Sequence, residues 1–452
     1  MAANPRKVVV FSGGSAANSL VDVFNEVIER NNCALTYVIP ISDNGGSSSE
    51  LIRVFGGPGI GDVRSRLVRL IPPTHAHILH LFNHRLPAAS DAASLEFLTL
   101  LTGTSPLYKS IPTPQAMLIR SILSHLHLEI LKRNRPPTST FNFQSASIGN
   151  LFLTGARLFS GSFESAIYLF AIMGGVDESR TAVLPAIVSN FSHHISAGLA
   201  DGTVITGQNA ISHPSEPTAL NIDHANPLAD LNDATIEDAN LPGSLPTLRQ
   251  PNIHFSKSSE EPLPARIQRL WYINPYGQEM RPAPNPKVLD AITVAEAVIY
   301  SIGSLYTSIV PSLILQGVGA AIARPGAQQY KILILNGSLD RETGGFSASD
   351  FIAAVARAGE ESRGVVFGSG EDVEPRVWAR YVTHLIHLEG EGVPRVDREE
   401  LRECGVECVR LYGRKAEDGT ARYDGRALGQ ALGAILGKRE KGERSRRNTF
   451  EG

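Results

Sequence analysis

The chain opens with a strand, a glycine turn, a helix and a second strand in immediate succession. A β-branched run over residues 7–12 ends at Gly13 and Gly14, apolar residues at helical spacing follow over 20–28, and another strand-like run covers 35–41. Two strands joined through a helix pair in parallel by a right-handed crossover. This opening therefore predicts an α/β fold in which a mainly parallel sheet carries helices on both faces.

Short apolar runs farther along the chain add more strands. Several of them are typical of parallel strands that are buried on both faces. We expect strands over residues 188–195, 202–207, 267–273, 297–301, 331–336, 381–388 and 405–411. Helices are expected over 147–159, 163–173 and 425–436. Together these elements predict a Rossmann-like architecture.

One domain accounts for most of the chain. We place it at residues 6–436 and expect a flexible insertion within it over 209–264, a stretch rich in Pro, Asn, Asp and Ser. No aromatic residue occurs between Phe191 and Phe255, so this stretch has little to bury in a core. Residues 437–452 are polar and basic, and we expect them to form a solvated tail.

Charge and cysteine content exclude several functional classes. The formal net charge is -3, which gives no basic field for nucleic acid or for an anionic membrane. Three cysteines, Cys33, Cys404 and Cys408, do not build a disulfide framework. No run reaches the roughly 18 apolar residues of a membrane span, and the first residues lack the apolar core of a signal peptide. We expect a cytoplasmic protein.

Three glycine-rich turns follow strand-like runs and point to a phosphate-bearing ligand. Glycine lets backbone N–H groups approach an anion closely, and a helix that starts after the turn adds a favourable dipole. In a parallel sheet such turns gather at the carboxyl edge, where ligands of open α/β folds bind. The expected phosphate-binding residues are Gly13, Gly14 and Ser15; Asn44, Gly45, Gly46 and Ser47; and Gly303, Ser304, Leu305, Tyr306, Thr307 and Ser308.

Two acidic residues lie in or beside these turns. Asp43 precedes the second glycine turn, and Asp62 lies in a later Gly-Asp-Val-Arg segment. Two carboxylates beside a phosphate site can hold Mg²⁺, which prefers hard oxygen ligands. The alternative is that both are turn or N-cap residues that accept backbone N–H bonds. The spacing leaves both interpretations open.

Four segments, in order along the chain, resemble the CofD/YvcK family, which comprises 2-phospho-L-lactate transferase-like proteins and gluconeogenesis-factor (UPF0052-type) proteins. The most specific are SDNGGSSSELIRVFGGPGIGDVR and YSIGSLYTSIVPSLI. SIGNLFLTGARLFSG and LNGSLDRETGGFSASDF are also similar to family segments. The resemblance extends over residues 8–436.

The resemblance implies roles for individual residues. Asp43 and Asp62 would be the catalytic carboxylates that hold Mg²⁺, Asn150 would bind the substrate from a helix start, and Gly303 to Ser308 would hold nucleotide phosphates. Family members bind a guanosine diphosphate-linked phospholactate or a UDP-sugar, and a homodimer is expected by the same resemblance. Asn44 stands where the family usually has a second aspartate, which removes one charge beside Asp43.

Two functions follow from this pattern. One is a transferase that moves a phosphoryl-linked group from a nucleotide diphosphate-linked donor to an acceptor hydroxyl. The other is a non-catalytic regulator that binds a UDP-sugar, which the loss of charge at Asn44 favours because a regulator depends less on a metal ion.

Other polar clusters are better explained by structure than by chemistry. His75, His77, His80 and His84 lack the additional ligands that would complete a zinc site. Arg64 and Arg66 can clamp a phosphate, but residues two apart do not share a helical face, so we expect one of them to be a solvated surface charge.

Overall fold

A computed structural model describes residues 5–13, 16–136, 139–212, 245, 248, 262–326, 330–368, 370–416 and 419–447. Gly14, Ser15 and most of the expected 209–264 insertion lie outside the described residues. The strands are β1 Arg6–Phe11, β2 Cys33–Ile39, β3 Thr181–Pro185, β4 His194–Leu199, β5 Val204–Thr206, β6 Ile267–Ile273, β7 Glu279–Met280, β8 Ala297–Tyr300, β9 Tyr330–Ile334, β10 His384–His387, β11 Glu407–Arg410, β12 Gly413–Lys415 and β13 Ala421–Tyr423.

The helices occupy both halves of the chain. They are α1 Val21–Asn31, α2 Ser47–Phe55, α3 Gly61–Leu70, α4 Ala76–Asn83, α5 Ser90–Thr102, α6 Thr113–Arg133, α7 Ile148–Ser160, α8 Phe163–Gly174, α9 Gln208–Ser212, α10 Pro286–Val294, α11 Val310–Leu313, α12 Val318–Ala323, α13 Ala348–Ser362, α14 Arg398–Glu403 and α15 Gly425–Arg447. Among the described residues no helix is both long enough and apolar enough to cross a membrane.

Residue contacts group the chain into two compact units. The first comprises Met1–Ile39, Glu178–Leu184 and Ala283–Gly452, and the second comprises Pro40–Asp177 and Pro185–Pro282. Each unit is assembled from segments that are distant in sequence. The single domain expected over 6–436 stays a prediction.

A seven-stranded sheet in the order β11-β10-β9-β8-β1-β2-β3 forms the core of the first unit. β1 pairs in parallel with β2 and β8, and β9 and β10 continue the parallel ladder to β11. Val8, Val9 and Val10 in β1 are at most 3% exposed, as expected for a strand covered on both faces. The predicted α/β fold, a mainly parallel sheet flanked by helices, is confirmed.

The second unit combines a helical layer with a separate antiparallel sheet. The rings of Phe82, Phe152 and Phe170 pack within 4.2–6.0 Å of one another and join α4, α7 and α8. β5, β4, β6 and β7 form the antiparallel sheet. The Asp201-Gly202 turn folds β5 directly back onto β4, a connection that only antiparallel strands permit.

Two expected boundaries were wrong for local reasons. The strand expected over 188–195 begins only at His194, because the Phe191 N–H donates to Ser189 Oγ at 3.0 Å and closes a turn. The last helix does not stop at Leu436 but continues to Arg447. Residues 437–447 are mostly Lys, Arg, Glu, Ser and Gly without proline, so the strong helix formers among them can extend the helix.

The hairpin of β12 and β13 packs across the ends of two parallel strands. The Tyr423 hydroxyl donates to the carbonyl oxygens of Leu335 (2.7 Å) and Ile386 (3.0 Å). These carbonyls follow β9 and lie within β10, so one hydroxyl ties the hairpin to the sheet.

Replacement of Tyr423 by Phe should lower the free energy of unfolding by about 1 kcal/mol, because it removes the hydroxyl from two backbone acceptors. Tyr276→Phe is the matched control, since Tyr276 is 50% exposed and should change stability little. Urea denaturation of both variants measures the difference. Equal stability of the two variants would contradict this role of the hydroxyl.

Candidate functional site

The topological switch point of the parallel sheet lies between β1 and β8. The chain leaves β1 for β2 on one side and returns to β8 on the other, and ligands of open α/β sheets bind outside the carboxyl ends at this place. Gly13 follows β1 and Gly303 follows β8. A Cβ atom on Gly303, whose φ is +141°, would lie 3.4 Å from the Gly13 carbonyl oxygen. The first and third glycine turns thus meet, as the parallel sheet predicted.

The turn after β8 is held by an asparagine that we did not predict. Gly303 N–H donates to Asn336 Oδ1 at 3.0 Å, and Asn336 Nδ2 donates back to the Gly303 carbonyl oxygen at 2.9 Å. Asn336 closes the run 331–336 that predicted β9. Its place directly after a buried strand was the available signal, because the carboxyl ends of neighbouring parallel strands meet at one edge.

A buried carboxylate occupies the helix start that was expected to hold phosphate. Glu342, only 2% exposed, accepts from Tyr306 N–H (2.8 Å), Thr307 N–H (3.2 Å) and the Thr307 hydroxyl (2.5 Å). Burial, reinforced by the neighbouring Asp340 carboxylate, raises the pKa of Glu342 to about 8. The phosphate contacts expected from Tyr306 and Thr307 are therefore taken by an internal acceptor.

The remaining residues of this turn divide into core and surface. Leu305 is buried, and the Tyr306 ring packs edge-on against Phe346 at 6.3 Å. Ser308 donates its N–H to the Ser304 carbonyl oxygen at 2.9 Å. Gly303 and Ser304 are only half-buried. In the first unit, Gly303 and Ser304 are thus the members of the third turn that are open to a ligand.

In the second unit, the turn at Asp43 and the loop before α3 interlock. Gly45 N–H donates to Asp43 Oδ1 at 3.0 Å. A Cβ atom on Gly59 would lie 2.1 Å from the Asp43 carbonyl oxygen, and a Cβ atom on Gly61 would lie 2.3 Å from Asp43 Oδ2. A side chain at Gly59 would collide with the backbone of Asp43, and one at Gly61 would displace the Asp43 carboxylate. This close approach brings Asp62 beside Asp43.

The paired carboxylates are only partly neutralised. Burial and the nearby Asp62 carboxylate raise the pKa of Asp43 to about 7, while the Gly45 N–H and the Arg64 guanidinium oppose this rise. Burial and the charge of Arg85 lower the pKa of Arg64 to about 10. The rise comes first from burial, which disfavours the charged form of the carboxyl group, and second from repulsion by Asp62. The two carboxylates and Arg64 define what we call the Asp43 cluster.

Asn150 positions Arg64. Its Oδ1 accepts from Arg64 Nε at 3.2 Å, and its Nδ2 donates to Ser47 Oγ at 2.9 Å. Asn150 lies in the first turn of α7, as expected, but it is 3% exposed and both ends of its amide are engaged. It contacts the Asp43 cluster through Arg64, and its direct contact with substrate stays a prediction.

Asn44 and Ser42 join the Asp43 turn to α9. Asn44 Oδ1 accepts from Asn209 N–H at 3.1 Å, and the Ser42 hydroxyl donates to Gln208 Oε1 at 3.2 Å. Gly46, with φ +57°, and Ser47 lead from this turn into α2. We missed Gln208 because it lies between a predicted strand and the stretch that we assigned to an insertion, and we missed Asn209 because it is the first residue of that stretch. The preceding Gly207, directly after a strand, was the signal.

The remaining polar residues have structural contacts. Arg66 is 1% exposed, so the expectation that one of Arg64 and Arg66 is a surface charge was wrong. α3 packs against α4, α7 and α8, which covers more than one of its faces. His84 Nε2 lies 2.5 Å from Glu96 Oε1. Across the described ranges, no three His, Cys, Asp or Glu side chains are grouped so that they could hold a metal ion.

The stability of the first unit should depend on pH through Glu342. Its pKa is raised from the ordinary value to about 8. Between the ordinary value and about 8, the folded protein therefore keeps a proton on Glu342 that the unfolded chain has lost. This contribution is fully present at acidic pH and is lost as the pH rises through about 8. Glu342→Gln keeps an acceptor for the two N–H groups and cannot ionise.

Urea denaturation at pH 6 and pH 9 measures this dependence. The wild type should lose more unfolding free energy than Glu342→Gln over this interval. Asp372→Asn, at an exposed acidic residue of the same unit, should behave like the wild type. Parallel pH profiles for the wild type and Glu342→Gln would refute the assignment.

Comparison with known proteins agrees with the fold and the motifs. The family model described as 2-phospho-L-lactate transferase CofD matches residues 8–411. A Saccharomyces cerevisiae protein, "Uncharacterized protein YNL011C", is 38% identical over 429 residues, which cover 89% of this chain and 95% of that protein. The gluconeogenesis factor of Halalkalibacterium halodurans is 23% identical, and the match covers 94% of this chain and 95% of that protein. The gluconeogenesis factor of Bacillus subtilis is 22% identical, and the match covers 89% of this chain and 90% of that protein.

A solved structure shares the fold. The crystal structure of BH3568 from Bacillus halodurans, a member of the UPF0052 family, superimposes with a TM-score of 0.58 at 21% identity and covers 95% of this chain and 99% of that one. The extent of the family match, together with the order of the motifs, identifies this chain as a member of the CofD family.

Proposed function

We propose that this chain binds a nucleotide diphosphate-linked ligand at the Asp43 cluster and transfers the phosphoryl-linked group of that ligand to an acceptor hydroxyl. The observation that carries the proposal is the convergence of Asp43, Asp62 and Arg64 in one half-buried cluster. Its two loops approach so closely that glycine is required at residues 59 and 61. Such a cluster supplies both signs of charge that a phosphoryl group and its counter-ion need.

Arg64 is the group suited to the phosphoryl oxygens. Its guanidinium is mostly buried, Asn150 fixes its Nε, and it keeps its charge at neutral pH because its pKa is still about 10. A fixed guanidinium stabilises the negative charge that develops on a departing phosphate without reorganisation. Arg85 adds a second positive charge near Arg64.

The donor set of Asp43 and Asp62 fits Mg²⁺. Both offer hard carboxylate oxygens, and a divalent cation would offset the repulsion between the two carboxylates, which adds to the effect of burial on the pKa of Asp43. Mg²⁺ held there would neutralise charge on the phosphates of the ligand. Asp43 Oδ1 already accepts from Gly45 N–H, which orients the carboxylate.

A second candidate function is a non-catalytic regulator that binds a UDP-sugar. The contact between Asn44 and Asn209 favours it, because the side chain at the position of the usual second aspartate is committed to α9. Several relatives that cover most of the chain are named gluconeogenesis factors. For both functions we propose a cytoplasmic protein whose partner is a small nucleotide ligand, and a homodimer.

Replacement of Asp62 by Asn should separate the two functions. In the transferase, Mg²⁺ should increase the thermal stabilisation of the wild type by GDP, and this increase should be lost in Asp62→Asn while metal-free binding remains. A ligand at one hundred times its dissociation constant adds about 2.7 kcal/mol of stability. The measurement is a thermal-shift series with GDP, GTP and UDP-sugars, each with and without Mg²⁺.

Asp91→Asn is the control, since Asp91 is an exposed residue of α5 in the same unit; it should keep the wild-type response. A UDP-sugar response that is indifferent to Mg²⁺ and to Asp62→Asn would support the regulator. The absence of any shift with every nucleotide would contradict both functions.

A further inference from the structure

Asn209 places a buried amide beside the Asp43 cluster. It is the second residue of α9, and its side chain is 8% exposed. Its backbone N–H donates to Asn44 Oδ1 at 3.1 Å. A Cβ atom on Gly45 would lie 3.0 Å from Asn209 Oδ1 and 3.4 Å from Asp43 Oδ1. The Asn209 side chain therefore lies against the same turn that presents the Asp43 carboxylate.

Among the described residues, the Asn209 amide nitrogen has no hydrogen-bond partner. Nδ2 is buried, and no atom in the described part of the chain accepts from it. A buried amide that gives up water without a new partner loses free energy, so folded proteins seldom leave one unpaired. An unpaired donor that is retained next to a charged cluster points to an acceptor supplied by a ligand.

The charges of the neighbouring groups indicate which acceptor this is. Arg64 makes the cluster attractive to anionic oxygens, and Asn44 adds no negative charge at the contact with Asn209. The unpaired N–H donor of this neutral amide suits a phosphoryl oxygen. A metal cation does not suit it, because an N–H group repels cations.

We propose that Asn209 is a ligand-binding residue whose side-chain amide donates to a phosphoryl oxygen of the ligand, and that Asn44 positions it. This inference rests on the proposed binding of a phosphate-bearing ligand at the Asp43 cluster. It gives the start of α9 a direct part in binding and explains what Asn44 does in place of a metal-ligating carboxylate.

Two variants of Asn209 test the inference. Asn209→Asp keeps the shape and replaces the donor with an acceptor, so it should weaken binding strongly. Asn209→Leu keeps a similar volume and removes the unpaired amide, so it should weaken binding while the melting temperature of the ligand-free protein stays equal or rises. A hydrogen bond to a charged group corresponds to a loss of about 10- to 100-fold in affinity.

The measurement is the dissociation constant by isothermal titration calorimetry, with GDP, UDP-glucose and inorganic pyrophosphate as probes. Asn190→Asp is the control for added charge, because Asn190 is exposed in a loop of the same unit; it should bind like the wild type. Pyrophosphate tests whether the phosphates alone account for the contact, since it carries no base or sugar.

The outcomes separate this inference from the proposed function. If the wild type binds a probe and Asn209→Asp binds it equally well, the donor role of Asn209 is wrong and the proposed function stands. That result would also follow if the exposed end of the amide were its oxygen, which Asp retains. If the wild type binds none of the probes, the proposed function fails and this inference fails with it.

Discussion

The central position of β1 organises the first unit. This short run of buried valines pairs in parallel with β2 on one side and with β8 on the other, although β8 lies far along the chain. Since every backbone group of a strand inside a sheet needs a partner, the chain must return to satisfy the open edge of β1. That return creates the switch point, and it carries the glycine turn after β8 to Gly13.

The buried carboxylates of the two glycine-rich regions, Glu342 in the first unit and Asp43 in the second, have different surroundings. In the first unit, Glu342 fills the donors at the helix start, so the protein supplies its own acceptor. In the second unit, Asp43 and Asp62 lie together with one buried guanidinium, and burial, reinforced by the Asp62 carboxylate, raises the pKa of Asp43. Glu342 accepts three internal hydrogen bonds, whereas among the described residues Asp43 accepts one, from Gly45 N–H, so Asp43 keeps more capacity for a ligand. The Asp43 cluster is therefore the better place for chemistry.

Membership of the CofD family leaves the choice between catalysis and regulation to a few residues. Asn44 is the clearest of them. Its side chain bonds the backbone of α9 instead of adding a third carboxylate to the cluster, and α9 brings Asn209 with its unpaired amide. The neutral side chain at Asn44 is thus tied by a hydrogen bond to a second polar residue beside the site. A direct amide contact and a metal-mediated contact are two physical ways to hold the same phosphate.

The sequence by itself determined the fold class, six of the seven strands of the main sheet and the family, and it singled out the acidic and glycine residues of the cluster. These follow from local patterns, because apolar periodicity and glycine turns depend on residues that are close together in the sequence. Only the tertiary structure decided which donors are free. The sequence could not show that Glu342 caps Tyr306 and Thr307, that Asn150 holds Arg64, or that Asn209 reaches the Asp43 turn, since each contact joins residues that are 35 or more positions apart. Whether a polar group bonds within the protein or stays available to a ligand depends on its neighbours in space, and no local sequence pattern records them.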